Sequence, residues 1–161
     1  MSGEKLMRKS YVYDKAKYHH NSPDFPKDLP MEQAFIHTGM FLGWVIDNGL
    51  YSEDFRNGAE EIIGAFKKRE ITGAKVFEHM DGVLTDQDLT DEGNAFAQDY
   101  FDFNKGEYLK DYEEVLASNL SSPFHVKDTW ENYERLKQVI DRRYNDWKNR
   151  GDIRKTRRRS T

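Results

Sequence analysis

Histidines and carboxylates are the residues of this chain that could transfer a proton or hold a metal ion, since its 161 residues include five histidines and no cysteine. The best acid–base set is His37, Asp47 and His125, because a histidine shifted by its surroundings works as a general base or acid near neutral pH. His37 and Asp47 are ten residues apart, about 15 Å along an ideal helix, so they cannot touch each other. His125 or Asp14 could fold against either. Such a set would serve a small hydrolase or transferase. The competing explanation is a hydrogen-bonded core histidine and a helix-end aspartate, and the residue pattern alone favours it.

Metal and phosphate motifs are missing. There is no H-E-x-x-H pair, and cysteine-based zinc sites are excluded. Glu78, His79 and Asp81 are ligand types, but their spacing does not place all three on one helical face. Asp81 to Glu92 tempts an EF-hand reading. It fails because Val83 takes the third ligand position and Asp86 the place of the required glycine; successive helix caps explain these acids better. Neither a G-x-x-x-x-G-K-[ST] loop nor G-x-G-x-x-G or G-x-S-x-G occurs. The expectation is no metal and no cofactor.

The strongest interaction candidate is the acidic, aromatic run QDYFDFNKGEYLKDYEE. Asp99, Asp102, Glu107, Asp111 and Glu114 would steer a partner with a basic surface, with Tyr100, Tyr108 and Tyr112 as amphipathic anchors. The plainer account is a solvated face over a tyrosine-filled core.

The elements that must position these groups follow from hydrophobic spacing. Gly39 to Ile46 carry no charge, and the apolar residues from Ala34 to Ile46 cannot be confined to one helical face. A helix apolar nearly all round is buried, so residues 31–48 form the central helix, started at Pro30 with Asp28 as a cap and stopped at Asn48-Gly49. Ser52 caps the next helix, whose stripe is Phe55, Ala59, Ile62, Ile63 and Phe66. A short AKVFEHM helix follows Thr72-Gly73, and Thr85 and Thr90 read as successive N-caps. A turn at 104–106 precedes a helix carrying Tyr108, Leu109, Tyr112, Val115 and Leu116. Asp128 with Glu131 resembles a capping box and opens the last helix, striped by Trp130, Tyr133, Leu136, Ile140, Tyr144 and Trp147, with Gly151 as its end.

The resulting expectation is an all-α fold, a single compact domain of roughly six helices around the buried helix 31–48. Residues 1–30 are an irregular N-terminal arm packed on the domain, in which YVYDKAKYHH could form one short strand or helical turn; 31–150 are the helical domain and 151–161 a basic tail. Aromatics at 14% supply core volume despite a mean hydropathy of −0.95, which argues against disorder. The last ten residues carry five basic groups and one acid, so a net charge of −4 divides into +4 on the tail and −8 on the rest. Nucleic acid is an expected partner only through this tail, weakly and salt-sensitively. No apolar leader is visible, and no run approaches the roughly 20 residues that span a bilayer. The expectation is a cytoplasmic protein with no membrane contact.

The stretches YDKAKYHH, QAFIHTGMFLGWVIDNGLYSEDF, REITGAKVFEHMDGVL, DEGNAFAQDYFDFNKGEYLKDYEEVL and FHVKDTWENYERLKQVIDRRYNDWK resemble a family of uncharacterised bacterial proteins catalogued as a domain of unknown function. The resemblance runs to about Lys148 and implies a single bacterial domain, with no site residues to carry over. Taken together, these features point to a non-enzymatic binding protein, in its most concrete form an immunity or inhibitor protein that occludes a toxin or nucleic-acid enzyme. The alternative is the hydrolase or transferase using His37 or His125.

Overall fold

The computed structural model describes residues 10–159, with side chains as far as Gly151. The charge-free run forms helix α2 (Ile36–Asp47), in which every residue from Ile36 to Ile46 is buried. A 3-10 turn, Met31–Phe35, leads into it, so the first part of the expected helix is more tightly wound. Pro30 is the N-cap of that turn, and no side chain caps it; the cap expected of Asp28 does not form.

Two glycines let α4 (Gly73–His79) lie directly against α2. A Cβ on Gly73 would stand 2.1 Å from the Gly39 carbonyl oxygen, and one on Gly39 would stand 2.4 Å from the Ala74 Cα. Helix α3 (Glu53–Lys67) buries Phe55, Ile63 and Phe66 and starts at Ser52, whose hydroxyl accepts from the Phe55 N–H. Thr72 likewise accepts from the Lys75 N–H.

The arm is less irregular than its composition suggests. Strand β1 (Val12–Lys15) pairs antiparallel with β2 (Val83–Thr85), and α1 (Ala16–His20) follows at once. The expected single strand or turn is thus both, a strand running into a short helix; residues 1–9 lie outside the described part. Thr85 heads a capping box with Asp88, and Thr90 accepts from the Gly93 N–H to open α5 (Asp91–Tyr100). Of the acids that mimic an EF-hand, Asp86, Asp88, Asp91 and Glu92 are therefore capping or first-turn residues, and Asp81 follows the C-terminal end of α4.

Helix α6 (Tyr108–Tyr112) is a single short element that passes into a π-helical turn, Glu113–Ala117. The last helix, α7, runs Trp130–Arg159. Its first turn is capped by Thr129, which accepts from the Asn132 N–H, while Asp128 accepts instead from the Thr72 hydroxyl. Gly151 does not end it: one interior glycine costs only about 1 kcal/mol relative to alanine, and the helix runs on to Arg159. The side chains of the basic tail lie outside the described residues. Tyr133, Leu136 and Ile140 of α7 are buried in one core shared with α2, α3, α4, α5 and α6. The fold is predominantly α-helical, a compact single domain, and among the described residues no helix is long and apolar enough to cross a membrane.

The α2–α4 approach sets a stability expectation. Gly73→Ala should destabilise the protein by about 2–3 kcal/mol in urea denaturation, as overpacking against backbone does. Gly64→Ala, in α3 with nothing within 4 Å of its Cβ position, should stabilise it by up to about 1 kcal/mol.

Candidate functional site

Where β1 runs into α1, the chain reverses the exposure of its side chains within five residues. Asp14 points from the strand into the protein and is 2% exposed, and His19 on α1 returns to the same spot. His37, in the first turn of α2, closes the group from the other side.

Asp14 Oδ1 lies 2.7 Å from His19 Nε2, and Asp14 Oδ2 accepts from the Thr38 hydroxyl at 2.6 Å. The two imidazoles meet edge to face, Nε2 to Nε2 at 3.1 Å, and His37 Nε2 stands 3.8 Å from Asp14 Oδ2. His37 is itself fixed, because the Tyr108 hydroxyl donates to its backbone carbonyl. Phe103 and Phe124 flank both imidazoles, with ring centroids 5.8–6.2 Å away. Side-chain exposure grades from 1% at Asp14 through 7% at His37 to 18% at His19, so the centre meets solvent along His19.

Burial pushes the His37 pKa down, the neighbouring His19 adds to this, and Asp14 only partly opposes it, leaving a value of about 4. His37 is therefore a neutral imidazole at pH 7. Burial would raise the Asp14 pKa, but the His19 hydrogen bond, the two histidines and the Thr38 hydroxyl outweigh it and hold the carboxyl below its ordinary value. Two facing Nε2 atoms cannot both carry a proton. One proton between the facing Nε2 atoms satisfies the pair, and a cation bound by both lone pairs would satisfy it equally.

One ligand atom each from Asp14, His19 and His37 lies within 4.8 Å of the others, and this is the one such trio among the described residues. Ligand bonds of about 2.0–2.1 Å place neighbouring donors about 3 Å apart, the scale of the contacts seen here. The donors are two imidazole nitrogens and a carboxylate oxygen, without sulfur, a set that suits zinc, iron, cobalt, nickel or manganese. The Thr38 hydroxyl orients the Asp14 carboxylate, and the Tyr108 hydroxyl anchors the His37 backbone.

The other sites expected from the sequence are dispersed. Asp47, at the far end of α2, takes both guanidinium nitrogens of Arg69 at 3.1 Å and the Tyr133 hydroxyl at 2.5 Å. His125 Nδ1 pairs with the Ser122 hydroxyl at 2.8 Å, outside the trio. Of the proposed acid–base set, only His37 meets a carboxylate partner, and that partner is Asp14; the sequence reading missed His19. Its signal was the five-residue spacing of Asp14 and His19 across a possible strand-to-helix junction. The expectation of no metal site likewise overlooked this trio, because its third member lies eighteen residues beyond His19.

The acidic candidates divide. Asp111 is 3% exposed and holds Arg143 through two bonds of 2.8 and 2.9 Å while accepting from the Tyr100 hydroxyl at 2.7 Å. Its oxygens are occupied inside the protein and do not face a partner. Tyr100, Tyr108 and Tyr112 are buried as well, so they are core residues and not surface anchors. Asp102 tightens its own turn by accepting from the Asn104 and Lys105 N–H groups. Asp99 accepts from the Trp147 indole N–H, Glu107 lies 3.8–3.9 Å from Lys110 and Arg143, and Glu114 is exposed.

Residues 12–126 match the family model described as Domain of unknown function (DUF7832), and the chain belongs to that family. No curated protein and no solved structure matches it. The matched stretch contains Asp14, His19 and His37 and stops short of α7.

The split among the acids has a direct check. Asp111→Ala should cost about 1–3 kcal/mol in denaturant unfolding, because it leaves the buried Tyr100 hydroxyl without its acceptor and removes the partner of the part-exposed Arg143. Glu114→Lys should change stability by less than about 0.5 kcal/mol. Equal costs would overturn this assignment.

Proposed function

We propose that this protein binds a divalent transition-metal ion, with Asp14, His19 and His37 as its ligands. The observation that supports this reading is the convergence of three lone-pair donors from separate elements on one point, with the two Nε2 atoms 3.1 Å apart. A structural hydrogen-bond network satisfies a buried imidazole with a carbonyl or hydroxyl as readily as with a second imidazole. Facing imidazole nitrogens beside a carboxylate form a donor set that a transition metal accepts.

The reading as an occluding, immunity-type protein loses support at its anchors. It called for tyrosines and carboxylates on one surface, whereas three of those tyrosines and Asp111 lie inside. The hydrolase or transferase reading keeps His37, but without Asp47 or His125 beside it. A metal centre uses His37 as a neutral ligand, which its depressed pKa suits.

Isothermal titration of chelator-treated protein with Zn²⁺, Co²⁺, Ni²⁺ and Mn²⁺ tests this directly. One ion should bind per chain. At a free ion concentration of 100 times Kd the thermal midpoint should rise by about 5–10 °C, the shift that about 2.7 kcal/mol of linkage gives a domain of this size. His19→Ala and His37→Ala should abolish both effects. Absence of saturable binding by all four ions would sink the proposal.

A further inference from the structure

Resting on that metal reading, we infer that the centre is open, and that it takes a small monocarboxylate with an aryl group as an additional ligand beside His19. Three protein ligands are what the described residues offer, fewer than the four to six that transition ions take. The remaining positions therefore belong to water or to an incoming donor. They lie toward His19, the ligand with the most exposed side chain.

Charge selects the class of that donor. A divalent ion with the Asp14 carboxylate and two neutral imidazoles carries a net charge of +1. Asp14 is the one carboxylate of the trio, so the ligands themselves bring no further anion. A partly buried centre of charge +1 is neutralised by one monoanion, and a carboxylate oxygen is a donor these metals accept.

The walls select what the carboxylate carries. Phe103 and Phe124 stand beside both imidazoles, Phe25 packs on Phe124 at 5.0 Å, and Tyr112 backs His37 at 6.1 Å. Aromatic walls favour an aryl or other flat apolar group by area and by edge-to-face contact. Phe103 and Phe124 are only half-buried, so part of each ring remains available for such contact.

The full chain loaded with Co²⁺ provides the readout, since the ligand-field absorption bands of cobalt change when a ligand replaces water. Benzoate and acetate are titrated separately into the loaded protein. Both should shift the bands saturably, with benzoate binding about tenfold more tightly than acetate, the gain expected from burying part of a ring. Phe103→Ala and Phe124→Ala should narrow that preference to less than about threefold, the ratio being taken on the same variant so that any change in Co²⁺ affinity from the lost ring contacts with His19 and His37 cancels. Normal Co²⁺ bands that neither anion perturbs would show a closed centre and overturn this inference while leaving the metal reading intact. Equal affinity for the two anions in the wild-type protein would overturn the aryl preference whether or not the variants fold. Failure of Co²⁺, Zn²⁺, Ni²⁺ and Mn²⁺ all to bind would remove both readings together.

Discussion

Helix α2 is buried on all sides from Ile36 to Ile46, and most of the architecture is a consequence of having to enclose it. A helix without a solvent face needs neighbours in every direction, and here they come from α4, α3, α7, α5 and the N-terminal segment. Gly39 and Gly73 bring α4 to backbone contact, and Gly43 leaves room for Phe66 and Tyr133. Phe41 and Trp44 stack into an aromatic cluster with Phe96, Phe101, Tyr108 and Tyr144. Such enclosure gives the few polar side chains on α2 no water to turn to. Each must find its partner in another element, and those partners fix where the elements sit. The Trp44 indole donates to Asp141 of α7, and Thr38 donates to Asp14 of β1.

Much of this enclosure was legible in the residues. A charge-free run of eight residues identified α2, the spacing of Phe55, Ile63 and Phe66 gave the buried face of α3, and Ser52, Thr72, Thr85 and Thr90 marked element boundaries through hydroxyls that do accept backbone N–H groups. Signals that depend on distant pairing were not legible. β1 is four residues long and pairs with residues about seventy positions away, too short for alternation to reveal. Asp111 read as surface because it is charged, and only the approach of Arg143, 32 residues later, makes it a core residue. The candidate centre was half visible. His37 stood out with Asp47 in the apolar run, and Asp14 was named only as a group that could fold against either, but a proline-rich loop separates the segment holding Asp14 and His19 from α2, and no periodicity crosses such a loop. Gly151 misled for a different reason: a glycine permits a helix end without requiring one.

Three carboxylates packed against the core show how the centre differs from ordinary structural polarity. Asp47 is compensated by the Arg69 guanidinium and the Tyr133 hydroxyl. Asp111 is compensated by the Arg143 guanidinium and the Tyr100 hydroxyl. Both use the same solution, a permanently charged fork and a tyrosine O–H, which holds at every physiological pH. Asp14 is the most buried of the three, and its burial calls for the firmest compensation. It has two imidazoles and a threonine hydroxyl instead, and one of those imidazoles is neutral at pH 7. Where the chain needs only to hold a buried carboxylate, it twice supplies arginine. At Asp14 it supplies groups whose nitrogens can exchange a proton for another cation, and it positions them with Thr38 and Tyr108 as firmly as the other two sites are positioned. Asp14 thereby differs from Asp47 and Asp111, and the two imidazoles that stand in place of arginine are the groups on which the proposed ion site rests.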